Sequence, residues 1–428
     1  MVEINVILSA TSVAWGSLFT EEERKNEIEK IKQSLLNNKH LLPSDLVLNI
    51  RSFTDPTLEE NFVSSISEDI PIVYIALAFR TPGLNILLEH RNPIIFYQKM
   101  YAGHTWIINR LRKNNIILFM GSSIKDLVKK IRILYTFKKI KETKYILVTN
   151  KDIILEKAKE LKNKYGFEYI RVNIDELSSY YESIPYLDAE QRATEFIKKS
   201  IGIIEPKLNE IIDAYRLYLA MKKMIKDKKA DGITIDCLSL FGRKGLPAYP
   251  CIGFSLLNSE GIPAACEGDV FSLLMMFIYK YLGDKPSFIS DPVIDISKNT
   301  VVHAHCVAPI KFDGIREYPY IIRSHAEDNK SVSLEVKYDD IGSVVTVANI
   351  VEDNMVVSLG KVLGNPEINR GCRTKIEISV ENAYKMLENW HAGDHVSAFG
   401  LHRVLATGNW YYELKELSKL MGLNFIEE

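Results

Sequence analysis

Short apolar runs alternate with longer amphipathic segments along the first 140 or so residues of the chain. The amphipathic segment at 21–36 predicts a helix, and Gly, Pro, Asn and Asp separate the apolar runs, as expected for strands. The predicted strands cover 4–8, 46–50, 71–78, 93–96 and 116–120. Strands that alternate with helices are typical of a parallel α/β layer.

The same alternation resumes near Lys144 and predicts a second α/β unit. A long helical stretch, from about Ala189 to Lys228, is interrupted at Pro206, because proline breaks a helix. The other predicted elements are a strand at 145–148, a helix at 155–165, strands at 167–172 and 233–237, and an element at 252–257.

The segment from Gly261 to Val270 ends this second unit with the sequence GIPAACEGDV. Two carboxylates, Glu267 and Asp269, follow an apolar strand-like run, and the residues from Val270 to Leu282 predict a long apolar helix. Glu267 therefore lies at a strand-to-helix junction, which is where open α/β sheets bind ligands.

The pattern changes after about Val301. Short alternating runs at 331–336, 344–347, 355–359 and 375–380 predict an antiparallel β region, and a last helix is predicted at 410–421. The sequence thus predicts two Rossmann-like parallel α/β domains followed by a β-rich antiparallel C-terminal domain. We place the N-terminal domain at 1–143, the second α/β domain, with the catalytic carboxylates, at 144–299, and the β-rich domain at 300–428.

Composition narrows the class of protein. The 428 residues are 46% hydrophobic and 25% charged, and the net charge is −1, so no charge excess indicates binding to nucleic acid or to a membrane surface. The apolar stretch at 273–282 contains Lys280 and is too short to span a bilayer. We expect a soluble cytoplasmic protein.

The five cysteines are widely spaced, and no CxxC pair occurs. Their number is odd, so neither a disulfide framework nor a zinc knuckle is indicated. We expect buried thiols in a reducing compartment. They are Cys237, Cys251, Cys266, Cys306 and Cys372.

The segment 261–270, with Asp291 downstream and the late Gly393-Asp394-His395, resembles the sugar isomerases typified by L-fucose isomerase and L-arabinose isomerase. The resemblance covers roughly the C-terminal half. It implies that Glu267, Asp291 and His395 bind a divalent metal, Mn²⁺ as in the similar enzymes, with Mg²⁺ or Co²⁺ as alternatives. It also implies that Glu267 and Asp291 form the catalytic acid/base pair.

Each of these assignments has an alternative in the sequence. Glu267 could be a helix N-terminal acid that the helix dipole favours, and Asp269 a helix cap. Asp295 competes with Asp291. His391 and His402 compete with His395.

Five further residues are candidates for substrate binding: His104, Trp106, His305, Arg373 and Trp410. His303 and His305 are predicted on one strand. From the alternation of side chains along a strand, we expect that at most one of them faces a site and that the other faces the opposite side. Arg373 could bind an anionic sugar, although arginines are more often paired structurally. Trp106 and Trp410 could stack on a sugar, although such residues are more often core.

The resemblance implies a metal-dependent aldose–ketose isomerase that acts on a monosaccharide through an enediolate. Such a reaction needs a base that removes a proton from the carbon next to the carbonyl, and a positive charge that stabilises the oxyanion formed. The similar enzymes assemble so that one N-terminal domain covers a neighbour's site, which implies a homo-trimer or homo-hexamer. The alternatives are a sugar-binding or regulatory protein without turnover, and a metal-dependent aldolase or epimerase.

Overall fold

The structure is a computed structural model that describes residues 1–11, 20–78, 82–99, 107–242, 245–325, 331–393 and 400–428. The chain divides into two compact units. Unit 1 contains Met1–Lys139 and Lys415–Leu423, and unit 2 contains Ile140–Leu414 and Asn424–Glu428.

A five-stranded parallel sheet forms the centre of unit 1, in the order β2-β1-β3-β4-β5. The elements up to Ile140 are β1 (Val2–Ser9), α1 (Glu21–Asn37), a 3₁₀ helix (Lys39–Leu41), β2 (Leu46–Phe53), α2 (Pro56–Ser64), β3 (Ile72–Ala76), α3 (Gly83–Leu87), β4 (Ile94–Lys99), α4 (Ile108–Leu111), β5 (Ile116–Gly121) and α5 (Ile124–Ile140). The predicted N-terminal parallel α/β layer is confirmed.

Local sequence explains these elements. Every residue of β3 is buried, as expected for a parallel strand that helices cover on both faces. Thr20 begins α1 with a capping box that Glu23 completes, and α1 buries Ile28, Ile31 and Leu35 on one face.

Unit 2 begins with a second parallel sheet, in the order β10-β9-β6-β7. Its elements are β6 (Lys144–Val148), α6 (Asp152–Tyr165), β7 (Glu168–Val172), α7 (Ile174–Glu182), α8 (Tyr186–Lys199), β8 (Gly202–Ile203), α9 (Leu208–Asp227), β9 (Gly232–Ile235), α10 (Cys237–Gly242), α11 (Cys251–Ser259), β10 (Ala264–Ala265) and α12 (Val270–Gly283). The apolar helix predicted from Val270 is confirmed as α12.

Most of the remaining strands form an antiparallel barrel. The elements after α12 are β11 (Phe288–Asp295), β12 (Thr300–His305), β13 (Tyr320–Arg323), β14 (Ser333–Val336), β15 (Val344–Val351), β16 (Asn354–Gly364), β17 (Thr374–Val380), α13 (Ala383–Glu388), β18 (Arg403–Thr407), α14 (Tyr411–Met421) and β19 (Asn424–Glu427). Six strands run in the order β15-β18-β11-β12-β17-β16, and pairing of β15 with β16 closes the ring. This confirms the predicted antiparallel C-terminal region, and its strands begin at Phe288.

The barrel and the α/β half of unit 2 share one small sheet, in which β8 pairs with β13 and β13 with β14. The core of this region combines barrel residues such as Val347 and Ile378 with Ile252 of α11. Among the described helices, none combines the length and apolar character that a membrane crossing requires.

Candidate functional site

A tight turn connects β10 to α12 and carries the first two site residues. Glu267 has a φ of +61°, in the left-handed region that residues with side chains adopt at a cost in free energy. Gly268 follows with a φ of +70°, and a Cβ there would approach Ile154 Cδ1 to 2.7 Å. Asp269 caps α12 by accepting hydrogen bonds from the Phe271 and Ser272 amides, each 3.0 Å long.

Three barrel strands supply the other side of the site. Asp291 lies on β11, His305 is the last residue of β12, and His402 immediately precedes β18. β11 pairs with both β12 and β18, so these residues meet at one end of adjacent strands.

Asp269 fixes the orientation of the His402 ring. His402 Nδ1 lies 2.9 Å from Asp269 Oδ2, and both side chains are buried. Ser272 Oγ donates to the same carboxylate, and Asn349 Nδ2 donates to Ser272 Oγ and to the His402 carbonyl. Because the carboxylate accepts, His402 Nδ1 carries the hydrogen and Nε2 keeps its lone pair.

That lone pair faces the two predicted carboxylates. His402 Nε2 lies 3.4 Å from Asp291 Oδ1 and 3.8 Å from Glu267 Oε2. The side chain of Asp291 is 53% exposed and that of Glu267 20%, so the site opens to solvent on the side of Asp291. Glu267, Asp291 and His402, with Asp269 behind His402, are called the carboxylate cluster below.

Burial and charge shift two pKa values in this cluster. Burial raises the pKa of Glu267, although the nearby His305 and His402 oppose the shift. Burial alone would lower the pKa of His402, but its hydrogen bond to Asp269 raises it above the ordinary value.

His305 completes the cluster as a hydrogen-bond donor. Its Nδ1 accepts a 2.9 Å hydrogen bond from the Cys306 amide, so Nε2 carries the hydrogen in the neutral ring. His305 Nε2 is buried without a hydrogen-bond partner among the described residues and lies 3.8 Å from Glu267 Oε1. Donor atoms of Glu267, His305 and His402 lie within 4.8 Å of one another, but the tautomers favour His402 as the metal ligand.

The two strand histidines do not face opposite sides, and that expectation is wrong. Residues two apart in a strand lie on the same face, and both His303 and His305 are buried. They nevertheless have different surroundings. His303 Nδ1 lies 3.0 Å from Ser290 Oγ, and burial lowers the pKa of His303 to about 3.

The structure does not bring Trp410 to the carboxylate cluster. Its ring packs on Gly283 at the last residue of α12, and its Nε1 donates to the Thr407 carbonyl. Glu267 precedes the first residue of the same helix, whose 14 residues extend about 20 Å. Within this chain, Trp410 is therefore a packing residue.

Arg373 is likewise engaged elsewhere. Its guanidinium lies 3.0 Å from Glu205 Oε1 and donates to the Ser324 carbonyl, while Arg323 binds the same glutamate. Arg323 and Arg373 line a polar cleft of about 230 Å³. Another lining residue, Glu335, pairs with Arg323 and Lys337. The charge of Arg373 is therefore already compensated by Glu205.

Asp295 and His391, the sequence alternatives to Asp291 and His395, make other contacts. Asp295 caps a turn by accepting hydrogen bonds from the Ser297 and Lys298 amides. It lies four residues after Asp291 on β11, so the two residues are about 13 Å apart along the strand. The His391 ring hydrogen-bonds the Asn389 carbonyl. The predicted residues His104, Trp106 and His395 lie outside the described residues.

All five cysteines converge beside His305. Cys237 Sγ and Cys266 Sγ are 3.2 Å apart, and the thiols of Cys251, Cys266 and Cys372 contact Cys306. This group, called the thiol cluster below, consists of Cys237, Cys251, Cys266, Cys306 and Cys372. Hydrogen bonds from the three contacting thiols lower the pKa of Cys306.

Sequence reasoning named His402 only as an alternative and did not foresee the thiol cluster. One signal was available, since three of the five cysteines stand next to residues already singled out. Cys266 precedes Glu267, Cys306 follows His305, and Cys372 precedes Arg373.

Comparison with known proteins gives one partial similarity. No protein-family model matches the chain. Over 97 residues the chain is 35% identical to the sulfoquinovose isomerase of Clostridium sp. (strain MSTE9), a match that spans 22% of this chain and 21% of that enzyme. The chain is thus similar, over about a fifth of the length of each protein, to a sugar isomerase.

Proposed function

We propose that this protein is a metal-dependent aldose–ketose isomerase that acts on a monosaccharide at the carboxylate cluster. The observation that carries the proposal is the convergence of Glu267 and Asp291 on the lone pair of His402 Nε2, with Asp269 fixing the tautomer. The partial similarity to a sugar isomerase supports the same reaction class.

The donor set fits a hard divalent ion. Two carboxylates and one imidazole nitrogen suit Mn²⁺ or Mg²⁺ better than a structural zinc ion, and Co²⁺ is an alternative. A histidine ligand whose second nitrogen donates to a carboxylate is the usual arrangement at metal sites, and His402 and Asp269 have it. When bound, the ion would supply positive charge for the oxyanion of the enediolate.

Glu267 and Asp291 would transfer the protons. The raised pKa of Glu267 brings its proton exchange closer to neutral pH, which suits a general acid or base. One carboxylate takes the proton from C2 of the aldose, and the conjugate acid returns a proton to C1. Asp291, the more exposed of the two, would meet a sugar that enters from solvent.

His305 would position the substrate. Its Nε2–H points towards Glu267 and has no hydrogen-bond partner among the described residues. A buried donor without a partner costs free energy, and a substrate hydroxyl or carbonyl oxygen would satisfy it.

The direct test is a screen of pentoses, hexoses, deoxy sugars and acidic sugars with added Mn²⁺, read as ketose formation. We expect turnover of at least one sugar, and loss of that turnover together with bound Mn²⁺ in His402→Ala. His391→Gln is the matched control, because its ring bonds the Asn389 carbonyl instead. Equal turnover and Mn²⁺ content in both variants would reject the site.

The proton-transfer step has its own test. In deuterated water, a carboxylate that exchanges its proton with solvent labels C1 of the product. The second measurement uses a substrate deuterated at C2. Migration of all the deuterium to C1 as a hydride would contradict proton transfer by a carboxylate.

We also propose that the active form is a homo-trimer or homo-hexamer in which His104 and Trp106 reach a neighbour's sugar. His104→Ala and Trp106→Ala would then raise KM or lower kcat without changing metal content. Light scattering that shows a fully active monomer would contradict both the assembly and the shared site.

A further inference from the structure

The thiol cluster collects every cysteine of the chain in one place. The five residues come from separate segments spread between positions 237 and 372, and none forms a CxxC pair. Cys237, Cys251 and Cys266 are buried, and Cys306 and Cys372 are partly exposed. Five thiols in 428 residues would be dispersed if each only filled a gap in the core.

Three donor atoms of this region are already arranged around a common point. One ligand atom each of Cys266, His305 and Cys306 lies within 4.8 Å of the other two. His305 Nδ1 is 3.5 Å from Cys306 Sγ. Because the neutral ring carries its hydrogen on Nε2, Nδ1 has one lone pair, and an ion bound there would replace the hydrogen bond that Nδ1 accepts from the Cys306 amide.

We propose that the thiol cluster binds one zinc ion through Cys266, Cys306 and Nδ1 of His305, with a third thiolate, from Cys251 or Cys372, as the fourth ligand. Thiolate and imidazole ligands in a tetrahedron suit zinc. Cys251 and Cys372 both contact Cys306, so either reaches the fourth position. Cys237 contacts Cys266 from outside this set.

The ligand spacing suits a single zinc ion. Sulfurs that share one zinc at about 2.3 Å stand a little under 4 Å apart in a tetrahedron. The ligand atoms of Cys266, His305 and Cys306 all lie within 4.8 Å of one another, so small side-chain movements bring them onto one ion.

The proposed ion would join the two halves of unit 2. Cys251 begins α11 and Cys266 follows β10, both in the α/β half. Cys306 follows β12 and Cys372 precedes β17, both in the barrel. One ion would therefore hold the turn before Glu267 against the barrel and fix the ring that directs Nε2–H of His305 towards that carboxylate.

This inference does not rest on the proposed isomerase activity. The thiol cluster offers soft sulfur ligands, whereas the carboxylate cluster offers oxygens and His402 Nε2, so each selects a different class of ion. The two sites share His305, whose Nδ1 faces the sulfurs and whose Nε2 faces Glu267.

The first test uses the intact chain, produced with zinc and purified without chelators. We expect about one zinc per chain, and zinc X-ray absorption that shows sulfur ligands at about 2.3 Å. Replacement by Co²⁺ should give a sulfur-to-cobalt charge-transfer band, which an oxygen and nitrogen site cannot produce. Zinc at background level, or absorption without sulfur ligands, would overturn the proposal even if every cysteine variant misfolds.

The second test uses variants. Cys306→Ser and Cys266→Ser should lose zinc, while Cys237→Ser, a matched buried cysteine outside the ligand set, keeps it. Asp291→Asn should keep the zinc while it weakens Mn²⁺ binding, which separates the two sites. Retention of zinc in Cys306→Ser, or five thiols that titrate freely in the folded, untreated chain, would overturn the assignment. A disulfide between Cys237 and Cys266, seen by mass spectrometry in place of zinc, would overturn it as well.

Discussion

Each unit of this protein contains a glutamate beside a parallel sheet, Glu59 fully buried and Glu267 with 20% of its side chain exposed, and the two carboxylates have opposite surroundings. Glu59 of unit 1 is fully buried, and the hydroxyl groups of Ser9, Thr11 and Tyr74 donate to its carboxylate. Burial raises the pKa of Glu59, as it does that of Glu267 in unit 2.

Among the described residues, no hydroxyl group donates to Glu267 in this way, and the His305 and His402 rings each lie 3.8 Å from its carboxylate. Burial and a raised pKa are therefore not sufficient, by themselves, to identify a catalytic carboxylate. A carboxylate whose acceptors are all occupied supports the fold, whereas one that faces a gap lined by imidazoles is available to a ligand.

The strongest test of this distinction is Glu267→Gln. We expect kcat/KM to fall about 10²–10⁴-fold, because the variant keeps the shape of the side chain but loses the proton-transfer group. The measurement is sugar turnover with circular dichroism as a check on folding. Glu59→Gln is the matched control, and a comparable loss of turnover in it would erase the distinction.

The next test concerns Asp269, which hydrogen-bonds the proposed metal ligand His402. Asp269→Asn should weaken Mn²⁺ binding about 10–100-fold, because an amide no longer fixes the hydrogen on Nδ1 of His402. Asparagine is also a good helix cap, so α12 should persist. Titration calorimetry measures the affinity, and Asp295→Asn serves as the control. Unchanged affinity in Asp269→Asn would mean that His402 does not bind the metal.

The structural glutamate predicts an effect on stability. Glu59→Ala leaves the hydroxyls of Ser9, Thr11 and Tyr74 without their acceptor, so the free energy of unfolding should fall by about 1–3 kcal/mol. Urea denaturation measures this change. The exposed neighbour Glu60→Ala should leave stability nearly unchanged, and equal losses in both variants would contradict the role of Glu59.

A smaller effect should appear in the pH dependence of stability. Folding raises the pKa of Glu59. The contribution of this shift to the free energy of unfolding is therefore complete below the ordinary glutamate pKa, and it is lost as pH rises through the pKa of Glu59 in the folded protein. Glu59→Gln stays neutral, so its Tm should exceed that of the unmodified chain by a margin that grows with pH across this window. A constant margin would show that Glu59 titrates normally.

The periodic parts of the fold were predictable from sequence. The strand patterns of both α/β layers and the apolar run from Val270 were confirmed, because burial on one face or on both leaves a direct mark on local sequence. Closure of the barrel by β15 and β16 could not be predicted in this way. It depends on which strands pair, and the local pattern of apolar residues does not specify that.

The site was predictable in part. Glu267 and Asp291 stand near sequence breaks that suggest a ligand site, and the structure places both at His402. Asp269 holds His402 at the site from a position 133 residues away in the chain, through a contact that no local pattern encodes, and His395 lies outside the described residues. Trp410 failed as a candidate because its packing partner is Gly283, a residue without a side-chain signal.

The left-handed turn at Glu267 and Gly268 also has an evolutionary consequence. Any side chain at position 268 would be strained and would meet Ile154, so mutation can scarcely alter the α/β side of the site. The barrel side is held by side chains, and Asp291 lies open to solvent. New substrate preferences should therefore arise from substitutions on the barrel side, and a mutant library confined to that side should retain a far larger share of folded, metal-binding members.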